Sequence, residues 1–283
     1  MQNFVCKPVK IDPKKLILDL MLAAGDRPMP VRDVILAGSL FEISENHLRV
    51  TLARLSAGGF VEPAGRGAYR LGPSGTDVAT DVATWRTVEA RLRPWQEGCY
   101  VAVHSGALGR SDRVALRQNE RALHMLGFRP LERGLHLRPD NIEHDVDAVR
   151  QRLHKLGLDQ QAIVFGASVL GAEHEARVQH LWDEEELTLG YQALRTQLAQ
   201  WLTGADALAL DVAARESFVL GGNAIHQLVF DPLLPEPFVD TKERHAFIEM
   251  VRHFDDRGRV IWNRFFAFYA PTSPLGEPNE RPY

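Results

Sequence analysis

The stretch from Ser44 to Leu71 constrains this chain more than any other. Ser44 suits a helix N-cap, because its hydroxyl can accept from a free backbone N–H two or three residues on. The helix it starts is expected over Glu45 to Ala57, ending at Gly58-Gly59. Leu48, Leu52 and Leu55 then fall at i, i+4 and i+7, which makes one buried stripe. The other faces carry Asn46, His47, Arg49, Thr51 and Arg54. These residue types can hydrogen-bond to base edges or phosphate oxygens. Phe60 to Pro63 reads as a strand, and Ala68 to Leu71 as its return. Between them Ala64-Gly65-Arg66-Gly67 is a glycine-rich turn with a basic tip, so the pair predicts a β-hairpin.

Two shorter helices precede this element. After Pro13, the residues Leu16, Leu20 and Ala23 recur at helical spacing, with Ile17 and Met21 beside them and Gly25 as the stop. A second helix follows Pro30, from Val31 to Ala37, and ends at Gly38. Three short helices and a hairpin predict a winged helix-turn-helix. In that fold the third helix enters the major groove, and the wing tip, here Arg66, reaches a phosphate or the minor groove. The same unit can also dock protein, with Arg49 and Arg54 as ordinary solvated charges.

Charge distribution bears on that choice. The 283 residues carry a net charge of −4, which argues against nucleic acid as a partner of the whole surface. Residues 1–75, however, hold ten Lys and Arg against seven Asp and Glu, leaving the remainder at −7. A basic head on an acidic body fits an appended nucleic-acid-binding module. The length suits two or three domains. No apolar run approaches the roughly 18 residues of a membrane span, and the N-terminus lacks the apolar core of a signal peptide. Two cysteines, Cys6 and Cys99, exclude a disulfide framework and suit the reducing cytoplasm.

The rest of the chain predicts an α+β multidomain protein. Residues 76–97 read as a connecting helix, with Trp85 and Trp95 as packing anchors. Residues 98–172 alternate: strand Cys99–His104, helix Ser111–Leu126, strand near Leu131–Leu137, helix Asp145–Leu156, strand Ala162–Ser168. That order is ferredoxin-like, with the second inner strand hard to see. Residues 173–271 are strongly helical, broken at Asp231-Pro232 and Pro235-Glu236-Pro237, and 272–283 form a polar, proline-rich tail. The acidic run Asp183-Glu184-Glu185-Glu186 is expected to open a helix, where the dipole favours it.

Several segments together resemble the PaaX-like regulators, the phenylacetic-acid catabolon repressor family. They are Leu48 to Leu55, then Gly58-Gly59-Phe60 and Tyr69-Arg70-Leu71, then Trp95 to Val103 with Trp95 and Gly98, and finally Asn223 to Pro235. The last is the most specific and contains His226, Asp231, Pro232, Leu234 and Pro235. The chain departs from the family pattern at Cys99-Tyr100, where a second tryptophan is usual, and at Val239 to Lys242, where Trp-Pro-Gly is usual. The resemblance implies a Cas2-like domain over the ferredoxin-like segment. A nuclease on that fold needs an acidic ligand at the end of its first strand. Here the strand ends Val103-His104-Ser105, which favours a structural or regulatory role.

The resemblance further implies a homodimeric repressor of an aromatic-compound catabolic operon, released by phenylacetyl-CoA or a related acyl-CoA. The helical C-terminal domain would dimerise or frame the effector site. Such a ligand needs cations and an apolar cleft. Candidate cations are Arg110, Arg113, Arg117 and Arg121, spaced three or four apart, with a solvated helix face as the competing reading. Eleven histidines form no metal signature, and neither a G-x-S-x-G elbow nor a phosphate loop occurs. The expectation is a non-enzyme without cofactor or metal. The rival readings are a nuclease-type enzyme on the ferredoxin-like domain and a winged-helix protein-docking module.

Overall fold

The computed structural model describes residues 10–75, 84–105 and 113–269. It is a mixed helix and sheet protein with two small antiparallel sheets. The chain divides into two compact units.

The first unit comprises residues up to Gly75, Ala207–Phe218 and the chain from Asp256 on. Helix α1 spans Pro13–Ala24. Its N-cap Asp12 accepts the Lys14 N–H at 2.7 Å, and Pro13 occupies the first helical position, where its missing donor costs nothing. Strand β1 (Met29–Pro30) leads into α2 (Val31–Ser39), and α3 follows over Glu45–Ala57. Strands β2 (Val61–Pro63) and β3 (Ala68–Leu71) form the expected hairpin. In the register Val61 pairs with Leu71 and Pro63 with Tyr69. A third strand was not evident in the sequence: β1 pairs with β3, Met29 opposite Tyr69, giving the sheet order β1-β3-β2. The core joins Leu16, Ile17, Leu20 and Met21 of α1 to Val34 and Ala37 of α2 and to Leu48, Leu52 and Leu55 of α3. Gly38 lets α2 and α3 approach closely, since a Cβ there would lie 2.3 Å from Leu48 Cδ1.

The second unit comprises Thr76–Asp206 and Val219–Asp255. Of the expected connecting helix, residues 76–83 fall outside the described residues, Thr84–Arg91 are 3-10 helical with a kink at Thr87, and 93–96 are not helical. A four-stranded sheet follows. Its strands are β4 (Cys99–His104), β5 (Arg129–Glu132), β6 (Leu135–Pro139) and β7 (Ile163–Ser168), in the order β5-β6-β4-β7. Helix α4 (Arg113–Met125) links β4 to β5, and α5 (Val146–Lys155) links β6 to β7. The segment read as one strand near Leu131–Leu137 is therefore the hairpin β5–β6, turning at Arg133-Gly134, with Gly134 at φ 78°. Helix α6 covers Ala172–Val178, α7 Glu184–Gly204, α8 Leu210–Val229 and α9 Thr241–Phe268. Asp183 caps α7 by accepting the Glu186 N–H at 2.8 Å, which places the acidic run in the first turn, where the helix dipole favours it. No helix among the described residues is long and apolar enough to cross a membrane.

Candidate nucleic-acid interface

Helix α3 carries the candidate surface. Ser44 accepts the His47 N–H at 3.3 Å and so starts the helix where the sequence predicts. Leu48, Leu52 and Leu55 are buried, and this fixes which side faces outward. At 3.6 residues per turn, Asn46, Val50, Ala53 and Arg54 fall within an arc of about 100° opposite the leucines. Asn46, His47, Arg49 and Arg54 are exposed, whereas Thr51 is half-buried at the border of the face. The Thr51 hydroxyl donates to the His47 carbonyl at 2.8 Å, so it is already engaged with its own helix.

The two arginines of α3 differ. Arg49 pairs with Glu45 one turn earlier, through Nε at 2.8 Å and Nη2 at 2.7 Å. Such an exposed pair is worth about 0.3–0.5 kcal/mol, so a phosphate can displace it. Arg54 has no ion-pair partner among the described residues. Arg66 stands exposed at the hairpin tip between Gly65 at φ 96° and Gly67 at φ 71°. Both flanking positions need a left-handed backbone, and glycine supplies it without strain.

Two members of this surface escaped the sequence reading. Val50 is 40% exposed on the outward arc, and an apolar side chain there can contact a thymine methyl. Arg70 is exposed on β3 and pairs with Glu62 across the hairpin at 2.6 Å. Strand alternation from the half-buried Tyr69 and Leu71 was the available signal for Arg70.

The candidate effector cations lie in the second unit. Arg110 is outside the described residues. Arg113, Arg117 and Arg121 are exposed along α4, and Asn119, Ala122 and Leu123 form its buried side. The three arginines thus lie along one exposed side of α4. No group of three or more metal-ligating side chains occurs among the described residues.

The family-motif residues are mostly packing and locking elements. Asp231, Pro232 and Leu234 are buried, Pro235 is half-buried and His226 is exposed. The Asp231 carboxylate accepts the Tyr191 O–H at 2.7 Å and the Leu233 N–H at 2.8 Å. Burial raises its pKa above the usual carboxylate range, with Arg244 acting in the opposite direction. Arg138 of β6 is fully buried. It donates through Nε to the Pro139 carbonyl at 3.0 Å, through Nη1 to the Leu126 carbonyl, and through Nη2 to Asn141 Oδ1 at 2.8 Å. Asn141 in turn donates to the Leu233 carbonyl at 2.7 Å. Burial depresses the Arg138 guanidinium to about 9. The chain after Asp231 is therefore held by the sheet through Arg138 and Asn141, and by α7 through Tyr191. Trp95 donates from its indole to the Cys99 carbonyl at 2.7 Å, and its ring packs edge-on against Phe238. Gly98 takes φ 77° at the turn into β4.

Comparison with known proteins adds to this geometry. Residues 182–264 match the model of the PaaX-like protein C-terminal domain. The matched span contains α7, α8, most of α9 and the whole Asn223 to Pro235 segment that carried the strongest resemblance. No curated protein matches the chain. Among solved structures, the uncharacterized protein Rv0674 from Mycobacterium tuberculosis is similar, with 20% sequence identity and a TM-score of 0.58. The alignment covers 88% of this chain and 98% of that one. At that identity the likeness is one of fold.

Proposed function

We propose, from the likeness of residues 182–264 to the PaaX-like C-terminal domain, that the protein is a ligand-responsive transcriptional regulator that reads operator DNA through α3. A PaaX-like domain points to a regulator of the phenylacetic acid pathway rather than to an enzyme. The observation that carries the DNA reading is the outward face of α3. It is exposed, presents Asn46 and Arg54 beside Val50 and Ala53, and stands on a leucine stripe that fixes its direction. The succession α1–α2–α3 with β2 and β3 reads as a winged helix-turn-helix, and Arg66 supplies a basic wing tip. Asn46, His47, Arg49 and Arg54 are the base and phosphate contacts from the helix, with Thr51 at the border of the face. Phosphate contacts fix register, whereas base-edge contacts from Asn46 and Arg54 carry sequence information.

The order β5-β6-β4-β7, with α4 and α5 as crossovers, supports a ferredoxin-like, Cas2-like middle domain. Its β4 ends at His104 without an acidic residue, which supports a regulatory role there. The protein acts as a homodimer, so that two heads read an inverted repeat. An aromatic acyl-CoA such as phenylacetyl-CoA releases it by binding one of two conformations more tightly. Arg113, Arg117 and Arg121 supply charge for the ligand's phosphates.

Genomic footprinting of the tagged full-length protein tests the assignment. Sites upstream of an aromatic catabolic operon support it, and the absence of enriched sites overturns it. Gel shifts on the recovered site against a panel of acyl-CoAs then test the effector. If none changes operator affinity, the effector proposal falls while DNA recognition stands.

A further inference from the structure

The unit that contains α1–α3 closes its core with residues from far along the chain. Phe41 lies in the connection between α2 and α3, the segment that sets the angle between these helices. Its ring packs on Phe218 of α8, centroid to centroid 5.3 Å. Phe218 packs edge-on against Trp262 of α9 at 6.0 Å. Trp262 in turn touches Phe265 at 5.6 Å and Phe266 at 5.3 Å, and Phe265 is fully buried. Phe218, Trp262 and Phe266 all pack on the same core that holds Leu48 and Leu52 of α3.

The connection needs outside support. Glu42, next to Phe41, sits at φ 57°, a left-handed conformation that a residue with a side chain adopts at a cost. The Phe41 and Ile43 N–H groups both donate to the Gly38 carbonyl, at 3.0 and 3.1 Å. The turn is therefore tight, strained at one residue and anchored by one aromatic side chain, and such strain persists only when the surroundings over-determine it.

We infer that Phe41, Phe218 and Trp262 are positioning residues for DNA reading: the aromatic wall of α8 and α9 holds the α2–α3 turn and so sets the direction of α3. The inference rests on α3 being the DNA-reading helix. Phe218 and Trp262 both lie inside the PaaX-like C-terminal span, so a ligand that shifts either helix changes the wall directly. None of the three touches DNA in this account.

The test uses full-length protein with Trp262→Ala, and Trp262→Phe as the conservative rescue. Should Trp262→Ala fail to fold, Trp262→Leu, which keeps apolar volume without a large ring, takes its place. Amide exchange over residues 40–57 is compared with exchange in β4 and β7. Affinity is measured for the footprinted operator and for a scrambled duplex of equal length. The expected result for Trp262→Ala is at least tenfold faster exchange over 40–57, with β4 and β7 unchanged. Operator affinity should fall at least tenfold, scrambled-duplex affinity less than threefold, and Trp262→Phe should restore both readouts. Unchanged exchange over 40–57 overturns the inference. Faster exchange with wild-type operator affinity also overturns it, because the contact is then structural only. An equal loss on both duplexes overturns it too, since positioning governs selectivity. Wild-type protein that selects no operator overturns the DNA reading itself, and this outcome is separate because the exchange result is obtained without DNA.

Discussion

Asp231→Ala should be among the most destabilising substitutions outside the apolar core. The carboxylate is buried and accepts from the Tyr191 hydroxyl at 2.7 Å and the Leu233 N–H at 2.8 Å. Alanine leaves both donors buried without that acceptor, at about 1–3 kcal/mol each. It also removes the negative charge that acts on Arg244, a buried side chain that donates to the Leu234 carbonyl at 2.5 Å. These contributions overlap, so the expected total is about 3–5 kcal/mol, a large share of a typical domain's stability of about 5–15 kcal/mol. Asp231→Asn never ionises and keeps an acceptor oxygen, so it should cost less than about 1.5 kcal/mol at neutral pH. Their pH dependence should also differ. Because burial raises the folded-state pKa of Asp231, the native protein holds this proton more tightly than the unfolded chain does. Wild-type stability from this group therefore falls as pH rises from the unfolded-state pKa through the folded one, and returns on acidification. Asp231→Asn lacks that contribution, so wild type should gain on it as pH falls through the window. Urea unfolding followed by tryptophan fluorescence measures all three proteins. Asp231→Ala within about 1 kcal/mol of wild type would refute the network's role.

Glu45→Gln should raise DNA affinity about two- to fivefold at low salt, because it frees Arg49 and removes a like charge facing the phosphates; fluorescence anisotropy checks it. Arg66→Ala should lower the slope of log affinity against log salt by about one, uniformly across duplex sequences, as expected for one phosphate contact. Gly127→Ala places a Cβ 2.7 Å from Pro232 Cα and 2.8 Å from its carbonyl oxygen, at φ 73°. Backbone cannot yield as a side-chain tip can, so the loss should be about 2–4 kcal/mol. Gly98→Ala, at φ 77° with open space around it, should cost only about 1 kcal/mol, and thermal melts of the two variants beside wild type check both values.

Elements whose register is written locally could be read from the sequence. The leucines of α3 and the apolar residues of α1 recur at helical spacing, and all of Leu16, Leu20, Leu48, Leu52 and Leu55 are buried. The hairpin tip around Arg66 announces itself by its glycines. Elements set by partners elsewhere in the chain left no such trace. Met29–Pro30 is too short for alternation to show and becomes a strand only by pairing with Tyr69 and Ala68. The β5–β6 hairpin hid because its turn is only two residues, Arg133-Gly134, inside one apolar-polar run. Arg138 would be placed at the surface by its chemistry, yet three acceptors, from Leu126, Pro139 and Asn141, satisfy it in the interior. At the candidate interface the outward face of α3 was visible from the leucine stripe. The wall of Phe41, Phe218 and Trp262 joins residues about 40 to 180 positions apart, and no periodicity links them.

Selective binding of the chain's own operator, and its dependence on Arg49 and Arg54, tests the account most directly. Wild type should bind the footprinted site at least a hundredfold more tightly than a scrambled duplex, in a strongly salt-dependent way. The Arg49→Ala/Arg54→Ala double variant, folded as wild type by circular dichroism, should lose most of that preference. Equal affinity of wild type for both duplexes, or undiminished selectivity in the double variant, would contradict it.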